Sequence, residues 1–184
     1  MLEVRQLGLD GVLEIVPKRH GDARGYFIET WNAEAFAETG IDLRFVQDNH
    51  SYSAAAGVVR GLHYQLPPRA QDKLLRVIRG KILDVAVDIR RSSKTFGKWV
   101  ALEISAERGN QILVPKGFAH GFVTLVPDTE VLYKVTDTYS PAHDRSIRFD
   151  DPDIGIDWPS PAGAFELSAK DLKASALAEA EVFA

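Results

Sequence analysis

The sequence predicts an all-β protein, a sandwich or barrel of short strands with a few short peripheral helices, on three observations. Leu83, Val85, Val87 and Ile89 alternate with Asp84 and Asp88, a period of two that describes a strand with one buried face. Comparable short apolar runs recur along the chain between turns rich in Gly, Pro, Asp and Ser, the spacing of a sandwich or barrel. Helical signals are few, short and peripheral.

In chain order, Val12 to Val16 is the first strand run, closed by Pro17. Asn32 to Glu38 is a helix candidate ended by Gly40. Val58 to Gln65 and Leu74 to Ile78 resume the strand pattern, and Leu83 to Ile89 carries the clearest alternation. Val100 to Ile104, Gln111 to Val114, Phe122 to Leu125 and Glu130 to Thr136 follow, each set off by turn residues. Pro152, Pro159 and Pro161 mark a turn-rich passage. After it Ser168 is placed to cap an Ala-rich terminal helix, and the end of the chain, rich in Ala and Glu, reads as solvated helix or frayed tail.

At 184 residues the chain is long enough to bury a core as one domain over 1–184, and no repeat, linker or charge block divides it. Its formal charge of −4 argues against a nucleic-acid partner, whose binding rests on neutralising phosphates, while leaving room for a local basic pocket. Cysteine is absent, so there is no disulfide framework. The opening Met-Leu-Glu-Val-Arg lacks the apolar stretch of a secretory signal, and no apolar run reaches bilayer-spanning length. The expectation is a soluble, cytoplasmic protein with neither a nucleic-acid nor a membrane partner.

Two histidines stand in settings that resemble the metal-binding motifs of cupin barrels. His63 lies in Gly57-Val-Val-Arg60-Gly61-Leu-His63-Tyr-Gln65, and His120 in Gly109-Asn-Gln-Ile-Leu-Val-Pro115-Lys-Gly117-Phe-Ala-His120, which keeps the Gly, Pro, Gly, His order of the second motif. The first motif normally carries His-x-His and then a Glu; here it reads His-x-Gln, and Lys73 with Leu74 occupies the region of the Glu. Two histidines fall short of the three protein ligands of a catalytic zinc, and a nearby ammonium opposes a bound cation. The resemblance implies a cupin-type double-stranded β-helix, or jelly-roll barrel, that binds no metal and has turned to acid/base chemistry.

Alternate side chains share one face of a strand, so parity shows which polar residues point with the apolar set. Val59, Gly61, His63 and Gln65 share a parity, Lys73 falls with Leu75 and Val77, and Tyr133 sits between Val131 and Val135. His63, Lys73 and Tyr133 are thus expected to converge on one cavity, where a lysine's natural task is to stabilise a developing oxyanion. Plainer readings stay open on the residues alone: Lys73 as a surface cation beside Asp72, Tyr133 as packing, His120 as a backbone hydrogen-bonding partner. Arg24, Arg60, Gln47 and Asn49 form a second set, suited to gripping a phosphorylated ligand through planar guanidinium forks and amides. Against that, Arg24 fits a hairpin turn, Glu29 fits an exposed strand, and Ser168-Ala-Lys-Asp171 reads as a capping box that requires no catalysis.

Together the segments Asp22-Ala-Arg24-Gly25-Tyr-Phe27, Phe45-Val-Gln47-Asp-Asn49-His-Ser51, Arg60-Gly-Leu-His63-Tyr-Gln65, Gln71-Asp-Lys73-Leu74, Val114-Pro-Lys-Gly-Phe-Ala-His120-Gly-Phe122 and Leu167-Ser-Ala-Lys-Asp171 resemble, in order, the dTDP-4-dehydrorhamnose 3,5-epimerase family. The resemblance implies a homodimeric cupin barrel that takes a dTDP-4-keto-6-deoxy sugar, dTDP-4-dehydro-6-deoxy-D-glucose, and inverts C3 and C5 without metal or nucleotide cofactor, a step in rhamnose supply. It implies His63 as base, Asp171 as its acidic helper, Tyr133 as proton donor on the other face and Lys73 as the cation that steadies the enolate. Arg24, Glu29, Gln47, Asn49, Arg60, His120 and Lys170 match substrate-contacting positions, Tyr139 is a candidate for the nucleotide base, and Asp144 stands where the family usually has Glu. The resemblance also makes it plausible that Arg24 and Glu29 serve a partner's pocket.

Three other readings use the same residues differently. A relative that inverts one carbon only, or acts on another dTDP-4-keto sugar, would keep the whole set. A metal-dependent cupin oxygenase would need the missing His and Glu. A non-catalytic sugar-nucleotide-binding cupin would have no use for His63, Lys73 and Tyr133 together.

Overall fold

The computed structural model of the protein describes residues 2–184. In chain order its regular elements are β1 (Glu3–Gln6), β2 (Leu13–Val16), β3 (Arg19–Asp22), β4 (Gly25–Ile28), α1 (Ala33–Ala37), β5 (Gln47–Ser53), β6 (Val59–Gln65), β7 (Lys73–Arg79), β8 (Lys81–Asp88), β9 (Trp99–Ser105), β10 (Gln111–Val114), β11 (Phe118–Thr124), β12 (Thr129–Val135) and β13 (Asp144–Ser146). A six-stranded sheet in the order β1-β2-β10-β7-β12-β5 faces a five-stranded sheet in the order β13-β6-β11-β8-β9, while β3 and β4 form a separate hairpin. Every strand pair is antiparallel, and the two sheets make the cupin-type barrel. Among the described residues no helix is long and apolar enough to cross a membrane.

Three apolar clusters place these strands. Leu75, Val77, Ile82, Ala86, Leu102, Ile104, Phe118, Phe122 and Val131 fill one part of the space between the sheets. On the outside of the six-stranded sheet, α1 covers Ile15, Leu74 and Leu113 with Phe36, helped by Trp31 and Phe45. The helix starts where the sequence places it, because the Asn32 Oδ1 accepts from the backbone N–H groups of Glu34 and Ala35 at 3.1 and 3.2 Å. On the outside of the five-stranded sheet, Leu62, Tyr64, Val85, Val87 and Ile89 are covered by the chain's end through Ile154, Leu177, Ala180, Val182 and Phe183.

That last layer corrects two expectations. The Ala-rich end forms no α-helix: it makes two single 3-10 turns, Asp171–Lys173 and Leu177–Glu179, and lies against the sheet, with the Arg91 N–H donating to the Phe183 carbonyl at 2.8 Å. Alanine propensity over so short a stretch does not repay helix nucleation, whereas the apolar residues among the alanines gain by burial. Nor is β8 buried on one face only, since Val85 and Val87 meet the chain's end while Asp84 and Asp88 are themselves 0% exposed. Burial alone would raise Asp88, yet hydrogen bonds from Arg90, Ser93 and Thr95 hold it well below the usual carboxylate range.

The predicted runs otherwise coincide with β2, β6, β7, β8, β9, β10 and β12, and β11 begins earlier than expected, so His120 lies within a strand. Missing from the sequence reading are β1, β5 and β13, which are polar or short, whereas the β3–β4 hairpin coincides with the hairpin turn expected at Arg24 and the exposed strand expected before Glu29, which lies one residue past β4.

Candidate active site

Between the sheets, at the end the apolar cluster leaves open, lies a cavity of about 680 Å³. Gln47, Asn49 and Ser51 line it from β5, where a spacing of two puts them on one face. Lys73 and Tyr133 reach it from β7 and β12, and His63, Arg60 and His120 from the opposite sheet. Asp144, Lys170 and Asp171 close its rim.

Arg60 and His63 are three residues apart, which in a regular strand would send them to opposite faces. The pairing of β6 with β11 contains the correction: His120 faces His63 and Phe122 faces Arg60, so Gly121 alone spans Gly61 and Leu62. This extra residue is a β-bulge, and it turns both side chains toward one cavity. The expected shared parity of Val59, Gly61, His63 and Gln65 is therefore broken inside the strand. Gly61 makes the bulge possible, since its φ of 139° is left-handed and a Cβ there would lie 2.5 Å from the Gly121 Cα.

His63 Nε2–H donates to Asp171 Oδ1 at 2.5 Å. Asp171 is held in turn by the turn it begins, where Ser168 Oγ donates to its Oδ2 at 2.8 Å and accepts from its backbone N–H at 3.1 Å. Half of the expected capping box is therefore present, the Asp171 N–H to Ser168 Oγ bond, while the Asp171 carboxylate takes the Ser168 hydroxyl instead of its N–H and reaches His63. Burial pushes Asp171 up, but His63, Ser168 and Lys170 together hold it below the usual carboxylate range. Burial pushes His63 below the ordinary imidazole value; Asp171 opposes this, and the charges of Lys73 and Lys170 add to it. With Nε2 committed to Asp171, a neutral His63 presents Nδ1 as its basic nitrogen.

Lys73 is buried, and its Nζ donates to the His63 carbonyl at 3.1 Å. Burial lowers its pKa to about 8, against the opposing pull of Asp84 and Asp144. His120 Nε2 donates to both carboxylate oxygens of Asp84, at 3.0 and 2.9 Å, so it takes a side-chain partner rather than the backbone. Burial raises the hydroxyl of Tyr133, Arg60 opposing and Asp144 adding to the rise.

The remaining residues organise the mouth. Arg60 is fixed by the Tyr52 carbonyl at 2.9 Å and by Ser53 Oγ at 3.3 Å. Gln47 donates to Asn49 Oδ1 at 2.8 Å and accepts from the Tyr139 N–H at 2.9 Å, and the exposed Tyr139 hydroxyl donates to Asp144, which is ion-paired to Lys170. Arg24 and Glu29 are not part of this chain's cavity. Arg24 lies at the tip of the β3–β4 hairpin, 90% exposed and paired with Asp22, and Glu29 accepts from Asn32 at 3.1 Å.

Sequence reasoning missed four contributors. Asp84 was read as solvent-facing, Ser168 as a cap alone, and Ser51, whose Oγ is buried without a partner, was passed over. Gln65, at the position of a cupin ligand, uses both ends of its amide as a staple: it donates to the Arg69 carbonyl at 2.6 Å and accepts from the Ser140 N–H at 2.7 Å, next to Tyr139. A polar residue with the cavity-facing parity was the available signal for Asp84. Among the described residues no group of three or more His, Asp or Glu side chains is disposed to hold a metal ion.

Comparisons with known proteins agree on one family. The model of dTDP-4-dehydrorhamnose 3,5-epimerase matches residues 6–179. A dTDP-4-dehydrorhamnose 3,5-epimerase of Sinorhizobium fredii is 50% identical over 97% of this chain and 91% of its own, and one of Pseudomonas aeruginosa is 48% identical over 99% of each. The crystal structure of dTDP-6-deoxy-D-glucose-3,5-epimerase from Legionella pneumophila in complex with dTDP-4-keto-L-rhamnose superposes with a TM-score of 0.94 at 44% identity, covering 98% of this chain and 95% of that one.

Proposed function

The chain belongs to the dTDP-4-dehydrorhamnose 3,5-epimerase family, and from that premise we propose how its residues invert C3 and C5 of dTDP-4-dehydro-6-deoxy-D-glucose. The observation that carries the reading is the His63–Asp171 pair at 2.5 Å, facing Tyr133 across a cavity that also holds the buried cation of Lys73. Both target carbons flank the C4 ketone, so removing either proton places negative charge on the C4 oxygen. Lys73, as an ammonium below about pH 8, stabilises that charge. His63 takes the proton, and Asp171 orients the ring and stabilises the imidazolium that forms. Inversion needs a proton from the opposite side of the sugar. His63 belongs to the five-stranded wall and Tyr133 to the six-stranded wall, so the two approach a bound ring from opposite faces.

Arg60, Gln47 and Asn49 are suited to diphosphate and nucleoside groups, and Tyr139, exposed at the mouth, to stacking on a base. A homodimer belongs to the same proposal. The β3–β4 hairpin carries Arg24 away from its own cavity and exposes Tyr26 at 60% and Phe27 at 68%, a surface that suits insertion beside a second copy's cavity. The remaining parts of the reading are an undivided catalytic unit over 1–184, a cytoplasmic setting and a product destined for rhamnose-containing glycans.

Incubation of chelator-treated protein with the substrate in heavy water tests the function. Deuterium at C3 and C5 with an inverted product supports it. Deuterium at one carbon points to a single-site epimerase, and none at either carbon overturns the reading. Sedimentation as a monomer at micromolar concentration overturns the dimer.

A further inference from the structure

Lys73 is a buried cation with no carboxylate within ion-pair distance among the described residues, and its one protein hydrogen bond is to the His63 carbonyl. An uncompensated charge in such a place is costly. Opposite it, on β8, Asp84 is 0% exposed, and both of its oxygens are occupied by the Nε2–H of His120, which itself lines the cavity. Resting on the role of Lys73 proposed above, we infer that Asp84 is a positioning residue for the epimerisation: it is the anion that keeps Lys73 an ammonium at the C4 oxygen, and it fixes His120 as the tautomer that turns Nδ1 toward the sugar.

The geometry carries this assignment. A carboxylate only accepts hydrogen bonds, so its hold on Nε2 requires the proton there and leaves Nδ1 of a neutral His120 free. Lys73 and Asp84 are linked through the paired strands: Lys73 Nζ reaches the His63 carbonyl, His63 is paired with His120, and His120 holds both Asp84 oxygens, so Asp84 forms no contact pair with Lys73 that would compete with the developing enolate. The charged and titratable groups around Lys73 are Asp84 from β8, Asp144 from β13, Lys170 from the chain's end, His63 and His120 from β6 and β11, and Tyr133 from β12. Asp144 is ion-paired to Lys170, so its charge is largely cancelled, and Asp84 remains as the wholly buried counter-charge. Burial raises the Asp84 carboxyl above the ordinary carboxylate value, with His120 and Lys73 pulling it back, and burial lowers Lys73, with Asp84 pulling it back.

The test compares pH profiles of C5 hydrogen exchange in the wild type, Asp84→Asn and Asp84→Glu. Asparagine keeps the shape and a hydrogen-bond acceptor for His120 but removes the charge. The alkaline limb of the kcat profile is expected to move down by roughly one pH unit in Asp84→Asn, as for the loss of a nearby opposite charge. KM should change less than kcat, and Asp84→Glu should restore part of the limb. A residue that merely holds the fold would lower thermal stability and leave the limb in place, and that result overturns the inference. Carbon-13 NMR of the unmodified protein reads the same point without a variant: an ionised Asp84 carboxyl at pH 7 supports the assignment, and a protonated one overturns it. A wild type that exchanges no substrate hydrogen refutes the proposed function, whereas an active wild type with an unmoved limb in Asp84→Asn refutes only the role of Asp84.

Discussion

Asp171→Asn isolates the electrostatic part of the His63–Asp171 pair, because it changes one oxygen to nitrogen and leaves the turn behind Ser168 in place. In the native site Oδ1 lies 2.5 Å from His63 Nε2, and only 3% of the Asp171 side chain is exposed, so solvent does little to replace the lost charge. The imidazolium formed on proton abstraction is already disfavoured by burial and by Lys73 and Lys170. Asp171 is the group that counters them, and a hydrogen bond to a charged group contributes about 1.5–3 kcal/mol. At 1.36 kcal/mol per decade this corresponds to a loss in kcat of roughly 10- to 150-fold. The loss exceeds that range if the new amide donates to His63 Nε2, since the ring proton then moves to Nδ1, the nitrogen needed as base. Asp171→Ala separates the two cases, because it removes the carboxylate without supplying a donor. The assay is loss of the C3 and C5 proton signals in heavy water, with dTDP binding measured alongside to verify that the site is intact. An Asp171→Asn enzyme within twofold of wild type across the pH range refutes the dyad.

His63→Ala and Tyr133→Phe are each expected to lose about 100- to 10,000-fold in turnover, the usual worth of a general acid or base. They should differ in kind, with Tyr133→Phe still washing deuterium into the substrate from the His63 side while failing to invert it; if it inverts at near wild-type rate, Tyr133 is not the acid. The pH profile should be bell-shaped, because His63 must be neutral and Lys73 protonated. Activity is present below about pH 8 and lost as Lys73 deprotonates, and it fails on the acid side below the ordinary imidazole value, where burial has moved His63; a rate still rising at pH 9 contradicts the role of Lys73. Gly61→Ala should cost roughly 2–4 kcal/mol of stability in chemical denaturation, since its Cβ would meet backbone at 2.5 and 2.9 Å. Gly40→Ala, at φ 87° with nothing within 4 Å, should cost about 1 kcal/mol, and equal costs at the two sites would remove close approach as the reason for Gly61.

The fold was legible in the sequence where strands bury one apolar face and illegible where they line water. β5 reads Gln-Asp-Asn-His-Ser-Tyr-Ser, with no apolar alternation, because one of its faces lines the cavity and the other is exposed. Asp84 misled for the complementary reason. Alternation of Asp with Leu and Val normally marks a wet face, and here the aspartate face is the barrel interior, made habitable by His120. Parity located Lys73 and Tyr133 but does not account for Arg60 and His63 sharing one cavity, since no period describes a bulge. For Arg24 and Glu29 a single chain provides no cavity at all.

The chain's end shows why composition and chemistry gave opposite answers. Alanine and glutamate suggested a solvated helix, but a helix from Ser168 onward would turn Leu177, Val182 and Phe183 around its axis, and in the observed path they lie together on the five-stranded sheet. Docking fixes the strand-like segment at the Leu177 N–H, which donates to the buried Asp151 at 2.8 Å, and at the bridge of Phe183 to Arg90. Upstream of these anchors, the single turn at Asp171–Lys173 is held against β6, where Asp171 meets His63. The carboxylate that orients the base therefore comes from the chain's terminal segment, whose path is held by apolar residues packed on the outside of the wall. An open barrel end admits a nucleotide sugar, and a tail bound across the outside of the wall supplies the group that the inner face of that wall lacks.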